Sequence, residues 1–188
     1  MNKTKKAIYE SAMKVFSNCG YSGATMDMIA SEAGVAKGTL YYYFKGKQEI
    51  FKYIIDEGMK IIKEEIEAMA KEKKDPLSKL KVLCEVQLDL VHDKRDFIKV
   101  VLSQFWGEET RQIQLRDVVK MYITYIQSYI KDAMADKKVK NGDSLAMAYS
   151  LFGTMYAAAT YELFNNNEEN PEEFKKDLTD HLLNGIQV

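Results

Sequence analysis

The sequence predicts an all-α protein of about nine helices, and three observations lead there. Apolar residues recur at helical spacing through long runs, with no stretch of the strict alternation that marks half-buried strands. Only two prolines, Pro76 and Pro171, interrupt 188 residues, and the glycines fall mostly where helices would end. The composition, 46% hydrophobic and 29% charged, is that of a globular chain with material for one large or two small domains.

The first helix is expected from about Lys3 to Asn18, with Ile8, Ala12, Val15, Phe16 and Cys19 on one stripe and Gly20 as its stop. Thr25 stands where an N-cap belongs, ahead of a second helix that buries Met28, Ile29 and Ala33. Gly34 ends that helix. Val35 and Ala36 turn the chain into a third, short one over KGTLYYYF, residues 37–44. A fourth helix, from Lys47 to about Lys71, keeps a 3.6-residue beat through Ile50, Phe51, Ile54, Ile55, Gly58, Ile61, Ile62, Ile66 and Met69. Asp75-Pro76 reads as N-cap and first residue of a fifth. A short sixth covers FIKVVLSQFW up to Gly107, and a seventh runs from Glu108 or Glu109 to about Met134. Asp143 caps an eighth, Ser144 to about Phe164, and Asn170-Pro171 opens the last.

Net charge is −1, but it is unevenly placed. Residues 1–47 carry seven lysines and three acids, a surplus of +4; the remainder carries 20 basic and 25 acidic side chains, or −5. A basic head on an acidic body points to an anionic partner for the head alone. Within that head, a seven- or eight-residue helix cannot stand by itself. Leu40 and Phe44 are its anchors, and on a helical wheel Tyr41 leans to their side. Gly38, Thr39, Tyr42 and Tyr43 face outward, with Lys37, Lys45 and Lys47 around them. A hydroxyl-rich face ringed by lysines suits a phosphate backbone and a groove. Helix, three-residue turn, helix is also helix-turn-helix spacing, although any small helical bundle with a short turn meets the same description.

Together, Gly23, Thr25, Ile29-Ala30, Ala33-Gly34-Val35, Lys37-Gly38-Thr39-Leu40-Tyr41, Tyr43-Phe44 and Lys47 resemble the tetracycline-repressor (TetR) family of bacterial transcription regulators. The resemblance covers roughly the first third of the chain; the rest resembles the family only in its helical layout. It implies an N-terminal three-helix DNA-binding head and a C-terminal ligand-binding and dimerisation bundle. The head would span residues 2–62, with the helix-turn-helix proper at about 25–44 and helix 4 shared as connector; the bundle would span 63–188. It implies a homodimer on a palindromic operator, half-sites about one helical turn or a multiple apart. By position, Thr25 would hold a phosphate at a helix N-terminus, and Lys37, Gly38, Thr39 and Tyr42 would face the groove. Tyr41, Tyr43 and Lys47 would hold phosphates. Ala36 stands where the family often has serine, so one hydroxyl is missing.

In the body, the uncharged stretch Ser144 to Tyr161 is nearly long enough to span a bilayer, but it is rich in Ser, Thr, Gly, Ala and Tyr. No membrane role is expected. Gly153 and Ala157 instead permit close helix packing and, with Phe174, Leu178 and Leu182, fit a dimer interface of two helices per subunit; interior core is the plainer alternative. Gln87, His92, Gln104, Phe105, Trp106, Tyr122, Tyr125 and Tyr129 are candidates to line a cavity for a small, largely apolar effector, against ordinary core packing.

Cys19 and Cys84 make no disulfide framework, and a leader-like apolar core is lacking at the start, so a cytoplasmic setting is expected. No cofactor or metal is expected: His92 and His181 lie far apart, and there is no nucleophile elbow, phosphate-binding glycine loop or dinucleotide fingerprint. An enzyme is therefore not expected. The reading is a ligand-responsive DNA-binding repressor. The alternative is a helical protein-binding scaffold without operator recognition.

Overall fold

The computed structural model describes residues 2–164 and 171–186. These form nine helices and no β-strand among the described residues: α1 Lys3–Gly23, α2 Met26–Glu32, α3 Lys37–Tyr43, α4 Lys47–Ala70, α5 Pro76–Asp93, α6 Arg95–Ser103, α7 Thr110–Ala135, α8 Ser144–Phe164 and α9 Pro171–Ile186.

Most helix starts have a local cause. The Asn2, Thr25 and Asp75 side chains accept hydrogen bonds from the N–H groups of Lys5 (2.9 Å), Met28 (3.2 Å) and Ser78 (2.9 Å), which begins α1, α2 and α5. Asp143 Oδ1 does the same for Leu145 and Ala146 at the head of α8. Two expected ends move. Gly20 was expected to stop the first helix. It does leave helical geometry, at φ 67°, but the chain resumes one further turn to Gly23, closed by Ala24 N–H onto the Gly20 carbonyl. Only a residue without Cβ takes that backbone cheaply. The sixth helix was expected over 97–106 and lies at 95–103. Asp96 belongs to its first turn, where it accepts a hydrogen bond from Ser17 Oγ at 2.6 Å.

The helices sort into two compact units. One comprises Met1–Lys60 with Asp96–Val118, and the other Ile61–Arg95 with Val119–Val188. The first has its core at Ile8, Phe16, Ile29, Leu40, Ile50, Phe51 and Ile54. The Phe16, Tyr21 and Phe51 rings pack with centroids 5.5–6.2 Å apart. In this unit α1 packs on α2 and α2 on α3. The α4–α6 approach is tight enough that a Cβ on Gly58 would collide with the Phe97 ring.

The second unit packs α5 against α8 and α9. Leu80, Leu83, Ile126, Ile130, Leu151 and Ala158 are among its buried side chains. Phe174 and Leu178 of α9, expected at a dimer interface, pack on Leu88, Met155 and Ala158 of their own chain, and Phe174 stacks on Tyr161 at 4.6 Å. They are half-buried, as is Leu182. Among the described residues no helix is long and apolar enough to cross a membrane.

Candidate nucleic-acid interface and effector region

The exposed face of α3 begins with its anchors. Leu40 is fully buried, and Phe44 reaches the core by leaving the helix into extended backbone at φ −143°, ψ 124°. With Phe44 off the helix, the buried stripe of α3 narrows to Leu40. Tyr41, expected to lean inward, is therefore 44% exposed. Tyr42 is 83% exposed and meets Tyr43 edge-on at 5.2 Å. Tyr43 is half-buried, its hydroxyl accepting a hydrogen bond from Asn2 Nδ2 at 3.0 Å, which ties the start of α1 to the end of α3. Gly38 is exposed, with open space where a Cβ would sit, and Thr39 is half-buried.

Lys37 pairs with Asp27 at 2.7 Å across the turn between α2 and α3. The bond pushes the ammonium pKa up, so Lys37 stays cationic. Thr25 is exposed at the same end of α2 that its hydroxyl caps. Thr25, Lys37, Tyr41 and Tyr42 thus all reach solvent from the α2–α3 pair.

Lys47 is different. Its ammonium donates to the carbonyls of Tyr21, Ser22 and Ala24 at 2.9, 3.3 and 3.2 Å, and lies 4.7 Å from the centre of the Tyr21 ring. An ammonium has three donors, and all three are engaged. Without DNA, Lys47, expected at a phosphate, holds the irregular end of α1, whose last carbonyls need donors.

The other side of that contact was missed in the sequence. Arg111, in the first turns of α7, is buried, with its guanidinium carbon 3.9 Å from the centre of the Tyr21 ring. Its Nε donates to Gln104 Oε1 at 3.0 Å, and its terminal nitrogens pair with Glu109. That pairing holds the Glu109 carboxyl below its usual range. Gln104, expected to line a cavity, is thus occupied by Arg111. Phe105 is half-buried, and Trp106 is 72% exposed, on the surface of its unit. The reason is local: α6 ends at Ser103, so the helical phase that would have turned these rings inward does not continue. An isolated arginine in a polar run gives periodicity nothing to detect.

In the second unit the structure brings together Gln87, Tyr122, Tyr125 and Tyr129. Gln87 Nε2 donates to the Tyr122 hydroxyl, and both residues are buried. The Tyr122 ring stacks on Tyr125 at 6.0 Å, and the Tyr125 and Tyr129 hydroxyls share a hydrogen bond at 2.9 Å. Burial is the largest cause that pushes the Tyr122 and Tyr125 phenols well above the ordinary range, so both stay neutral. Cys84 is buried, its thiol pushed up to about 12, which makes it an inert core residue. The side chain of His92 lies outside the described residues.

On α8, Gly153 and Ala157 are exposed, with Leu145 and Tyr149 on earlier turns of the same helix also reaching solvent. At four-residue spacing these share one face.

A family model for bacterial regulatory proteins of the tetR family matches residues 8–54. Over nearly its full length the chain is similar to a Clostridium perfringens protein of known structure described as a "putative fatty acid metabolism regulator". The two are 41% identical, the match covers 97% of this chain and 99% of that one, and the TM-score is 0.88. The chain belongs to the TetR family. The fatty acid metabolism regulator protein of Bacillus subtilis strain 168 is 26% identical over 183 residues, covering 95% of this chain and 93% of the relative. The transcriptional regulator FadR from Bacillus subtilis, solved in complex with stearoyl-CoA, shares the fold, with a TM-score of 0.86 at 24% identity over 97% and 99% of the two chains. The TetR-family chain is accordingly a transcriptional regulator, and the matched residues 8–54 run from α1 through α2 and α3 into α4.

Proposed function

We propose that this TetR-family regulator is a homodimeric repressor that holds a palindromic operator with α3 and lets go when a fatty acyl ligand of the acyl-CoA kind binds its C-terminal unit. The observation that carries the DNA half is the α3 face: Tyr42 stands almost fully in solvent beside Tyr41 and Lys37, on a helix too short to exist for its own sake. Lysines and hydroxyls supply sequence-independent affinity to phosphates, and Gly38, Thr39 and Tyr42 supply base preference. Thr25 contributes its hydroxyl at a phosphate. The DNA-binding part is taken as residues 2–62 and the ligand-binding and dimerisation part as 63–188.

The acyl half is supported by likeness to the Bacillus subtilis fatty acid metabolism regulator protein and the Clostridium perfringens structure, and by a shared fold with the FadR regulator solved with stearoyl-CoA. Gln87, Tyr122, Tyr125 and Tyr129 are the residues assigned to that ligand. The dimer is supported by the exposed α8 face of Leu145, Tyr149, Gly153 and Ala157. The ligand shifts the protein only if it binds the state that misfits the operator more tightly than the state that fits. No catalytic step enters this reading.

The test is fluorescence anisotropy on the DNA upstream of the protein's own gene, across a salt series, with and without stearoyl-CoA. The expected result is specific binding that weakens steeply with salt and is reversed by stearoyl-CoA, which is recovered unhydrolysed. Absent or salt-insensitive binding would favour a protein-binding scaffold; hydrolysis of the thioester would favour an enzyme.

A further inference from the structure

Residues 1–47 hold three acids, Glu10, Asp27 and Glu32, and each pairs with a lysine of the same stretch. Lys6–Glu10 lies along α1 at 3.7 Å, and Lys14–Glu32 ties α1 to the end of α2 at 2.5 Å. Of the three, Lys37–Asp27 stands on the face proposed for DNA. The Lys37 ammonium donates to Asp27 Oδ2 at 3.0 Å and lies 2.7 Å from Oδ1. Lys37 is the first residue of α3, one turn before Tyr41 on the same exposed face.

Stability does not call for this pair. The two side chains are 60% and 67% exposed, and an ion pair so open to water adds little. The helices α2 and α3 already pack on each other, with Ile29, Ala30 and Leu40 buried. The turn between them is closed by Val35 N–H on the Ala30 carbonyl at 3.0 Å.

A carboxylate on a DNA-binding face also carries a penalty. A phosphate that reached the Lys37 ammonium would come close to Asp27, well inside the screening length of about 8 Å at physiological salt. Like charges at that range repel, so Asp27 works against a phosphate contact by Lys37. A base edge carries no such charge. An ammonium has three donors, so one held by a carboxylate can still donate to guanine O6 or N7. The N-terminal residues of a recognition helix are the ones that meet base edges.

We infer that Asp27 determines specificity: by holding the Lys37 ammonium it keeps that cation from the phosphates of arbitrary DNA and reserves it for base edges of the operator. Asp27 itself touches no DNA in this arrangement; it positions Lys37. The inference rests on the reading of α3 as the operator-binding helix, and it sets Lys37 apart from the lysines that hold phosphates.

The test is fluorescence anisotropy on wild type, Asp27→Asn, Lys37→Met and the double variant. Each is titrated with the DNA upstream of the protein's own gene and with a shuffled duplex of equal length and composition, across a salt series. Asparagine keeps the shape of aspartate and removes its charge, and a thermal melt follows each variant's fold. In Asp27→Asn the freed ammonium should reach a phosphate. Shuffled DNA should then bind about three- to tenfold tighter, with a salt slope steeper by about 0.9. Operator affinity should change by less, so the operator's advantage over shuffled DNA shrinks. In the Lys37→Met background the same Asp27→Asn change should leave shuffled-DNA binding where it was. Unchanged affinity and slope for shuffled DNA in Asp27→Asn would overturn the inference. So would equal tightening on both DNAs, tightening that persists without Lys37, or a melting temperature well below that of wild type, which would make the pair structural. If wild type shows no preference for its upstream DNA over the shuffled duplex, the operator reading itself fails and takes the inference with it.

Discussion

Tyr42 and Lys47 lie five residues apart and separate two jobs that the bare sequence runs together. Tyr42 has almost no contact to lose, so Tyr42→Ala should leave the melting temperature unchanged and weaken operator binding by about tenfold, roughly 1.4 kcal/mol. An anisotropy titration at moderate salt beside a thermal melt checks both halves. Unchanged affinity would remove α3's tyrosine face from the DNA contact. Lys47→Ala should do the reverse first. It strips a cation from three carbonyls at the end of α1 and from the Tyr21 ring, at a stability cost of about 1.5–3 kcal/mol, as for hydrogen bonds to charged groups. Chemical denaturation reads that loss. A Lys47→Ala protein as stable as wild type would show that the cap is dispensable, and a phosphate role would return. Tyr41 makes the same point in miniature. A wheel placed it inward because it assumed a helix through Phe44, whereas Phe44 is anchored by stepping out of the helix.

Among elements, α6 decides how the first unit is composed. It is held to α1 by Ser17 and Asp96 and to α4 by Phe97 over Gly58, while the start of α7 is held to α1 by Arg111 on Tyr21. Gly58→Ala should test that packing. The added methyl meets the Phe97 ring, and overpacking costs about 1–3 kcal/mol. The better helix propensity of alanine returns about 1 kcal/mol, so a net fall in melting temperature is expected. A rise would mean that the ring yields freely. These contacts mark the limit of what could be read from residues alone. Most of the nine helices among the described residues were legible because they have a cap, a proline or a glycine near an end and an apolar stripe between; α6, with none of these at its ends, was placed two to three residues late. The outward position of Gly38 and Tyr42 was legible because Leu40 fixes the phase of α3, whereas Thr39 and Tyr43, expected outward, are half-buried. The Arg111–Gln104–Glu109 cluster was not, because a buried cation satisfied by polar partners leaves no periodic trace. Nor was the orphaned half of Gln87, which exists only once α5 and α7 are packed.

For the molecule as a whole, α8 carries the expectation of pairing. Its exposed face combines Leu145 and Tyr149 with the small residues Gly153 and Ala157, while Phe174 and Leu178 of α9 are partly spent on their own chain's core. Ala157→Glu therefore places a charge on the proposed interface without disturbing a buried neighbour. Sedimentation should show a folded monomer at micromolar concentration. Operator affinity should fall far more than for Tyr42→Ala, because two linked half-site contacts become one. A dimer that persists would move the interface off α8. The asymmetric charge fits the same picture: the +4 surplus of residues 1–47 is drawn to DNA, while the −5 of the remainder is repelled from it and orients the approach.

Trp106 is the single tryptophan of the chain, and it stands 72% exposed on the connector between α6 and α7, edge-on to Phe105 at 5.4 Å. The protein therefore carries a one-site optical reporter where the connector meets solvent, with no label to attach. Excited selectively at the red edge of the absorption, where the twelve tyrosines do not contribute, the free protein should emit at long wavelength and be readily quenched by acrylamide. Any rearrangement of the connector on meeting DNA or an effector becomes a change in colour or quenching that a stopped-flow instrument can time.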